Sequence, residues 1–268
     1  SIVLAQGGKI RRHDVGSGEI STIEYSAKVH RTISEMARRE FRIADGPVAA
    51  KFFRWPSSSP DGKTIAFQAV GRIYTQQGAS GTPRRLTAAA FSPLEYAPSW
   101  SPDSKWVAFA SRLNTLYRAI VVANVDTGEK RQLTDGLADA MFPVWDASGK
   151  YLWFLASTDF GLASQWLDMT SYGREETFAL YLAVLNKSDA SPLLPESDED
   201  PGVGAKPAEN TNKPSATPLA VTIDFDRLQQ RILPVTAVPS RRYSQLKAGA
   251  AGTVFFLEAP GTAGARGN

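Results

Sequence analysis

Histidine, cysteine and serine are the residue types that most often build catalytic or metal centres, and this chain offers few usable combinations of them. His13 and His30 are the only histidines, and neither has a partner at the His-x-His or His-Glu-x-x-His spacing that binds zinc. There is no cysteine, so disulfides and thiolate ligands are excluded. No Gly-x-Ser-x-Gly elbow is present, although spacing alone does not exclude a triad, since triads are assembled in space. We therefore predict no catalytic, cofactor-binding or metal-binding residue in this chain.

Carboxylates and aromatic side chains are more abundant, but their contexts favour structural roles. Asp61 and Asp103 occupy equivalent places in a repeated turn, where an aspartate bonds the local backbone. The acidic run at residues 198–200 could bind a cation or a basic partner, and we interpret it as a solvated linker face. Trp166 and Tyr172 could line a peptide channel, and packing over the underlying sheet is the favoured interpretation.

A repeated turn-and-strand phrase organises the chain. Residues 59–67 read Ser-Pro-Asp-Gly-Lys-Thr-Ile-Ala-Phe, which predicts a type I turn leading into a buried strand. The phrase returns 42 residues later at 101–109, and a looser copy follows at 146–154. A period of about 40–45 residues with several strands per unit is the signature of a β-propeller blade.

The repeat predicts an all-β fold, a β-propeller of four-stranded antiparallel blades forming an incomplete arc. Residues 1–257 are assigned to this partial propeller, with three whole blades and a part-blade at each end. The predicted blades are residues 1–24 (partial), 47–87, 94–134, 139–232 and 238–257 (partial). The third whole blade carries an insertion at 157–177 and a proline- and acid-rich linker at 187–218, and residues 258–268 are expected to be a frayed tail.

Within the whole blades, the first strands are expected at 51–55, 96–100 and 143–145, directly before the repeated turns. The outer strand of the first whole blade is expected at 83–87. Between the first two blades, residues 34–39 could form a short helix or residues 41–43 a strand edge. The alignment of repeats places the first strand of the first blade before residue 1. We expect an open arc whose apolar end strands, 2–4 and 254–257, lack one neighbour. Such surfaces favour association, so a homo-oligomer is a candidate partner.

Composition narrows the classes of function. The chain has 268 residues with a net charge of +3, and its arginine pairs are scattered, so nucleic acid is not an expected partner. No apolar run reaches the roughly 18 residues that predict a membrane span. The absence of cysteine fits a periplasmic or a cytoplasmic location equally, and the sequence does not choose between them.

The Ser-Pro-Asp-Gly-Lys turns, with the strands that follow them and the Leu-Thr outer strands, resemble TolB-like propeller repeats. The region 154–200 and the phrase at 223–232 are similar to the propeller of bacterial tricorn-type proteases. This resemblance implies a scaffold and peptide gate, with a peptide or protein substrate and PDZ-like and serine peptidase domains C-terminal to it. Two alternatives stay open: a non-enzymatic TolB-like interaction module, and the propeller of a metal-dependent amidohydrolase, which residues 7–49 also resemble.

Overall fold

The computed structural model describes residues 1–33, 46, 49–87, 94–159, 176–193 and 219–259. The chain divides into two compact units, Ser1–Val48 and Ala49–Asn268. The expectations for residues 34–43, for Trp166 and Tyr172, for the acidic run at 198–200 and for the tail beyond residue 259 lie outside the described residues. The division of residues 1–257 into blades of one propeller stays a prediction.

The first unit contains one three-stranded antiparallel sheet in the order β1-β2-β3. Its strands are β1 (Ile2–Gln6), β2 (Lys9–His13) and β3 (Ile20–Ile23). Gly7 and Gly8 join the first two strands with φ of 59° and 72°, the left-handed pair that a tight two-residue hairpin requires. In the next turn, Asp14 accepts amide hydrogens from Gly16 and Ser17, which lowers the pKa of its carboxyl.

The second unit contains three four-stranded antiparallel sheets and one two-stranded hairpin. In each four-stranded sheet the strands pair in chain order, as expected for a propeller blade. The strands are β4 (Arg54–Ser58), β5 (Thr64–Ala69), β6 (Arg72–Gln77) and β7 (Arg84–Arg85); β8 (Glu95–Trp100), β9 (Trp106–Arg112), β10 (Arg118–Asn124) and β11 (Lys130–Gln132); β12 (Asp139–Trp145), β13 (Tyr151–Ser157), β14 (Ala179–Val184) and β15 (Ile232–Pro234); and β16 (Tyr243–Ala248) with β17 (Val254–Glu258). A short 3-10 helix, Leu228–Arg231, precedes β15.

The repeated turns join the first and second strands of their sheets, as the sequence predicts. In the first, the amide of Gly62 donates to the carbonyl of Ser59 at 2.9 Å, and the Ser59 hydroxyl donates to the Asp61 carboxylate at 2.6 Å. The second turn repeats both bonds between Ser104 and Ser101 and between Ser101 and Asp103. The carboxylate of Asp61 thus bonds within its own turn. The bonds that it accepts from the Ser59 hydroxyl and from the amide of Lys63 lower the pKa of this carboxyl.

The second strands β9 and β13 are buried on both of their faces. On β9, Val107 and Phe109 pack towards the sheet β4–β7, whereas Ala108 and Ala110 pack towards the sheet β12–β15. The sheet β12–β15 likewise packs one face on each neighbour, with Phe154 on one side and Leu155 on the other. Such strands read as continuous apolar runs because both faces exclude water.

Two sequence-based expectations about strands need correction. The first strand of the first whole blade is Arg54–Ser58, not residues 51–55, and Phe52 and Phe53 precede it as exposed side chains. The outer strand expected at 83–87 is reduced to Arg84–Arg85. The first strand can extend past Pro56, although proline donates no amide hydrogen. This proline lies in a bulge of an edge strand, where a sheet tolerates proline.

Replacement of Phe109 by alanine tests the packing between the first two sheets. The ring of Phe109 is 0% exposed, so the change leaves a cavity and should cost about 3–5 kcal/mol of unfolding free energy. The cost is measured by urea denaturation followed by circular dichroism. Phe255→Ala is the matched control, because that ring is 63% exposed and its loss should change stability by about 0.5 kcal/mol or less. An unchanged midpoint for Phe109→Ala would show that the register of β9 is wrong.

Candidate functional site

The first strands of successive sheets in the second unit lie side by side, so β4, β8, β12 and β16 form the inner wall of the arc. A cleft of about 410 Å³ opens along this wall. Three consecutive residues of each strand line it: 55–57, 97–99, 142–144 and 245–247. The lining of the cleft therefore consists of equivalent residues from four inner strands, which are far apart in the chain.

Each of the four inner strands carries a β-bulge at this position. The pairing with the second strand shifts register between Arg54 and Ser57, and equivalent shifts occur in β8, β12 and β16. The residue in the bulge is left-handed each time, with φ of 48° at Trp55, 49° at Ala97, 52° at Phe142 and 54° at Gln245. A left-handed residue other than glycine costs of order 1–3 kcal/mol. Such strain clusters at functional sites, which makes the cleft the candidate site.

Proline follows the bulged residue in three of the four strands, as Pro56, Pro98 and Pro143. Proline lacks an amide hydrogen and is confined to edge strands and bulges in a sheet. Both conditions hold here, because each inner strand is the edge of its sheet and each proline lies in a bulge. The fourth strand has Leu246 at the equivalent place.

Tryptophan side chains connect neighbouring bulges. The indole N–H of Trp100 donates to the carbonyl of Ser57 at 3.0 Å, and that of Trp145 donates to the carbonyl of Ser99, also at 3.0 Å. Each donor lies at the end of one inner strand, and each acceptor lies in the bulge of the preceding sheet. These bonds satisfy buried indoles and hold consecutive bulges at a constant spacing.

Two buried carboxylates join the sheets at the other end of the inner strands. Glu95 is 1% exposed, accepts the amide hydrogen of Ile73 at 2.9 Å and is bound by the Thr87 hydroxyl at 2.6 Å. Asp139 is 0% exposed and accepts from the amide and the guanidinium of Arg118 at 2.7 and 2.9 Å. Both carboxylates begin an inner strand and bind the third strand of the preceding sheet, so their bonding capacity serves the fold.

The side chains that reach the cleft are suited to binding. Trp55 and Phe142 are aromatic residues of the lining, and the Trp55 ring also meets Tyr96, which is outside the lining, edge-on at 6.0 Å. Lys247 is the one charged side chain among the described lining residues. Aromatic surface gives large contact areas, and lysine gives a charge-specific contact.

The residues singled out by sequence reasoning are not brought together. His13 lies in β2 and His30 is exposed, both in the first unit, and Asp61 and Asp103 bond their own turns. Asp103 also accepts the amide hydrogen of Val221 at 3.0 Å, which anchors the chain that returns before β15. Within the described ranges, no group of three or more His, Asp or Glu side chains could hold a metal ion. That no residue of this chain is catalytic stays a prediction.

Sequence reasoning did not single out the cleft residues. A signal for them exists in the residue–proline pairs 55–56, 97–98 and 142–143, which recur with the spacing of the repeated turns. A proline at a constant place in a repeated strand indicates an edge and a bulge. The fourth position, Gln245, lacks this signal because leucine follows it.

Comparison with known proteins supports the fold. The tricorn protease structure matches 94% of this chain with a TM-score of 0.52 at 14% identity, a likeness that shows a β-propeller fold. TolB proteins from Agrobacterium tumefaciens and Acinetobacter baumannii each match 68% of the chain at 17% identity, with TM-scores of 0.38 and 0.36. The chain spans 21% of the tricorn protease chain. No family model matches the chain, and no curated protein matches it.

Across the part of the chain that the structure describes, no helix has the length and apolar character needed to cross a lipid bilayer.

Replacement of Trp145 by phenylalanine tests the bond between adjacent bulges. The variant leaves the Ser99 carbonyl without its donor and should lose about 1–3 kcal/mol of unfolding free energy. Trp106→Phe is the matched control, because the half-buried Trp106 indole bonds to none of the described residues. Equal losses in the two variants, measured by urea denaturation, would show that ring size rather than the indole bond matters.

Glu176 should make stability depend on pH. Burial raises the pKa of its carboxyl above 4.5, and the negative charge of Asp139 raises it further. The ionised form of Glu176 is therefore disfavoured in the folded state. The free energy of unfolding is highest below pH 4.5, where this carboxyl is protonated, and it falls as pH rises through the raised pKa. Glu176→Gln should be more stable than the parent protein at pH 7 and lose that advantage at about pH 4. Thermal melts across this range check it, with the exposed Glu24→Gln as control; an equal gain at both pH values would contradict it.

Proposed function

We propose that this chain is the propeller portion of a tricorn-like peptidase, where it acts as a scaffold and as a gate for peptide substrates. Hydrolysis is assigned to a serine peptidase domain C-terminal to it, next to a PDZ-like domain. The observation that carries this proposal is the cleft at the inner strands, lined by Trp55, Phe142 and Lys247. The likeness to the tricorn protease supports it at the level of the fold.

The dimensions and chemistry of the cleft suit an extended polypeptide. The cleft volume of about 410 Å³ lies within the range of about 300–1,000 Å³ that is typical of ligand sites, and it has room for a few amino-acid residues at a time. Its wall repeats the same backbone element four times, so it presents similar groups at regular intervals along the arc. The backbone groups of an extended polypeptide also recur at regular intervals, so such a polypeptide can contact successive strands of the wall in a similar way.

A second function shares the same cleft. A TolB-like interaction module would bind an extended segment of a partner protein there without any peptidase. The aromatic residues Trp55 and Phe142 in the lining of the cleft favour an interaction module as much as they favour a gate, since aromatic side chains dominate the energetics of protein interfaces. The two functions differ in the fate of the bound segment, which a gate passes on to a peptidase and an interaction module retains.

Binding of unfolded polypeptide tests the proposed function. The 268-residue chain is titrated into fluorescein-labelled, reduced and carboxymethylated protein, and anisotropy reports the affinity. Trp55→Ala combined with Phe142→Ala should weaken binding at least about tenfold, because buried aromatic anchors carry most of an interface. Phe255→Ala, an exposed ring outside the cleft, should bind as the parent does. We expect no peptide cleavage by this chain.

Two results would contradict the proposal. Equal affinity of the double variant and the parent would show that the cleft does not bind polypeptide. Peptide turnover that a single Ser→Ala change in this chain abolishes would show that hydrolysis takes place here and not elsewhere.

A further inference from the structure

We infer that the cleft selects polypeptide segments in the polyproline II conformation that are rich in proline and carry an acidic side chain. This inference rests on the proposed function, because it names the class of polypeptide that the same cleft binds. Three features of the wall carry it: blocked strand edges, uncommitted side-chain donors beside aromatic rings, and a single positive charge.

The prolines of the inner strands oppose binding by strand addition. An extended peptide that joins a sheet edge bonds to the amide hydrogens and carbonyls of the edge strand. At the cleft, Pro56, Pro98 and Pro143 remove the amide hydrogen at the same position of three consecutive edges. The carbonyls of Ser57 and Ser99 are already bonded to tryptophan indoles. Three consecutive edges of the wall therefore each lack a backbone group that strand addition would use.

Side chains of the wall supply further hydrogen-bond donors. No described residue accepts a bond from the indole N–H of Trp55 or from the amide of Gln245, and Lys247 forms no ion pair with any of them. A polyproline II segment forms no internal hydrogen bonds, so its carbonyls are free to accept hydrogen bonds from such donors. Proline-rich ligands also lose little conformational entropy on binding, since they are already extended in solution.

Aromatic side chains line the cleft on two of the inner strands. Trp55 and Phe142 come from the first and third inner strands, and Ala97 from the strand between them. Alanine adds only a methyl group between the two strands that carry aromatic side chains, and aromatic-lined grooves are the surfaces on which proline-rich segments dock. Lys247 adds the only charge among the described lining residues, so an acidic residue in the ligand is favoured over a basic one.

Two synthetic peptides of equal length and charge test the inference. The first is a fluorescein-labelled peptide of about ten residues with two proline pairs and one glutamate, and the second replaces every proline by valine. Fluorescence anisotropy with the full chain should give at least about tenfold tighter binding for the proline peptide. Replacing its glutamate by lysine should weaken binding, and in Lys247→Met that difference should disappear.

Variants of the wall separate the contributions. Trp55→Ala should weaken binding of the proline peptide at least about tenfold, and Trp55→Phe, which keeps an aromatic ring but removes the indole N–H, should lie between that variant and the parent. Phe255→Ala is the control, since its ring is exposed and outside the cleft. Circular dichroism of each variant shows whether it is folded before its affinity is compared.

The outcomes distinguish this inference from the function on which it rests. If the valine peptide binds as tightly as the proline peptide, or more tightly, and Trp55→Ala weakens both, the inference is overturned while the cleft remains a polypeptide site. If neither peptide binds and unfolded protein does not bind either, both are overturned. Tighter binding of the proline peptide that Trp55→Ala leaves unchanged would place it outside the cleft and also overturn the inference.

Discussion

Each four-stranded sheet in this protein has two apolar faces, and water must be excluded from both. The alternating side chains of β9 show how this is achieved, because Phe109 packs on the preceding sheet while Ala108 packs on the following one. Buried apolar surface contributes about 25 cal/mol per Å², so a sheet with one bare face would lose much of its stabilisation. Neighbouring sheets therefore stabilise one another, and the inner strands are brought side by side as a result of that packing.

The inner strands combine this packing with a strained backbone. Four left-handed residues, none of them glycine, occupy the bulges that face the cleft. Bonds from Trp100 and Trp145 to the neighbouring bulges, together with the buried carboxylates of Glu95 and Asp139, surround these positions with fixed contacts. Strain of this kind persists only where surrounding structure determines the backbone, and here the surroundings repeat from sheet to sheet.

The polar groups in and beside the cleft are used in two different ways. Carboxylates and tryptophans beside the cleft form bonds between sheets, whereas the Trp55 indole, the Gln245 amide and the Lys247 ammonium in its lining bond to none of the described residues. These three groups are donors that orient a ligand. A surface of this composition fits a protein whose chemistry, under the proposed function, takes place in another domain.

The fold class, the turns and most strands could be predicted from the sequence, because these depend on local bonds and on a repeat of about 42–45 residues. The turns at Ser59 and Ser101 formed as predicted, and so did the strands that follow them. The first strand of one blade was predicted three residues too early. The aromatic residues 52–53 are typical of a strand, whereas proline at position 56 is not. Only the tertiary structure revealed the cleft, because Trp55, Ala97, Phe142 and Gln245 become neighbours through the packing of whole sheets, an interaction that no local pattern of residues encodes.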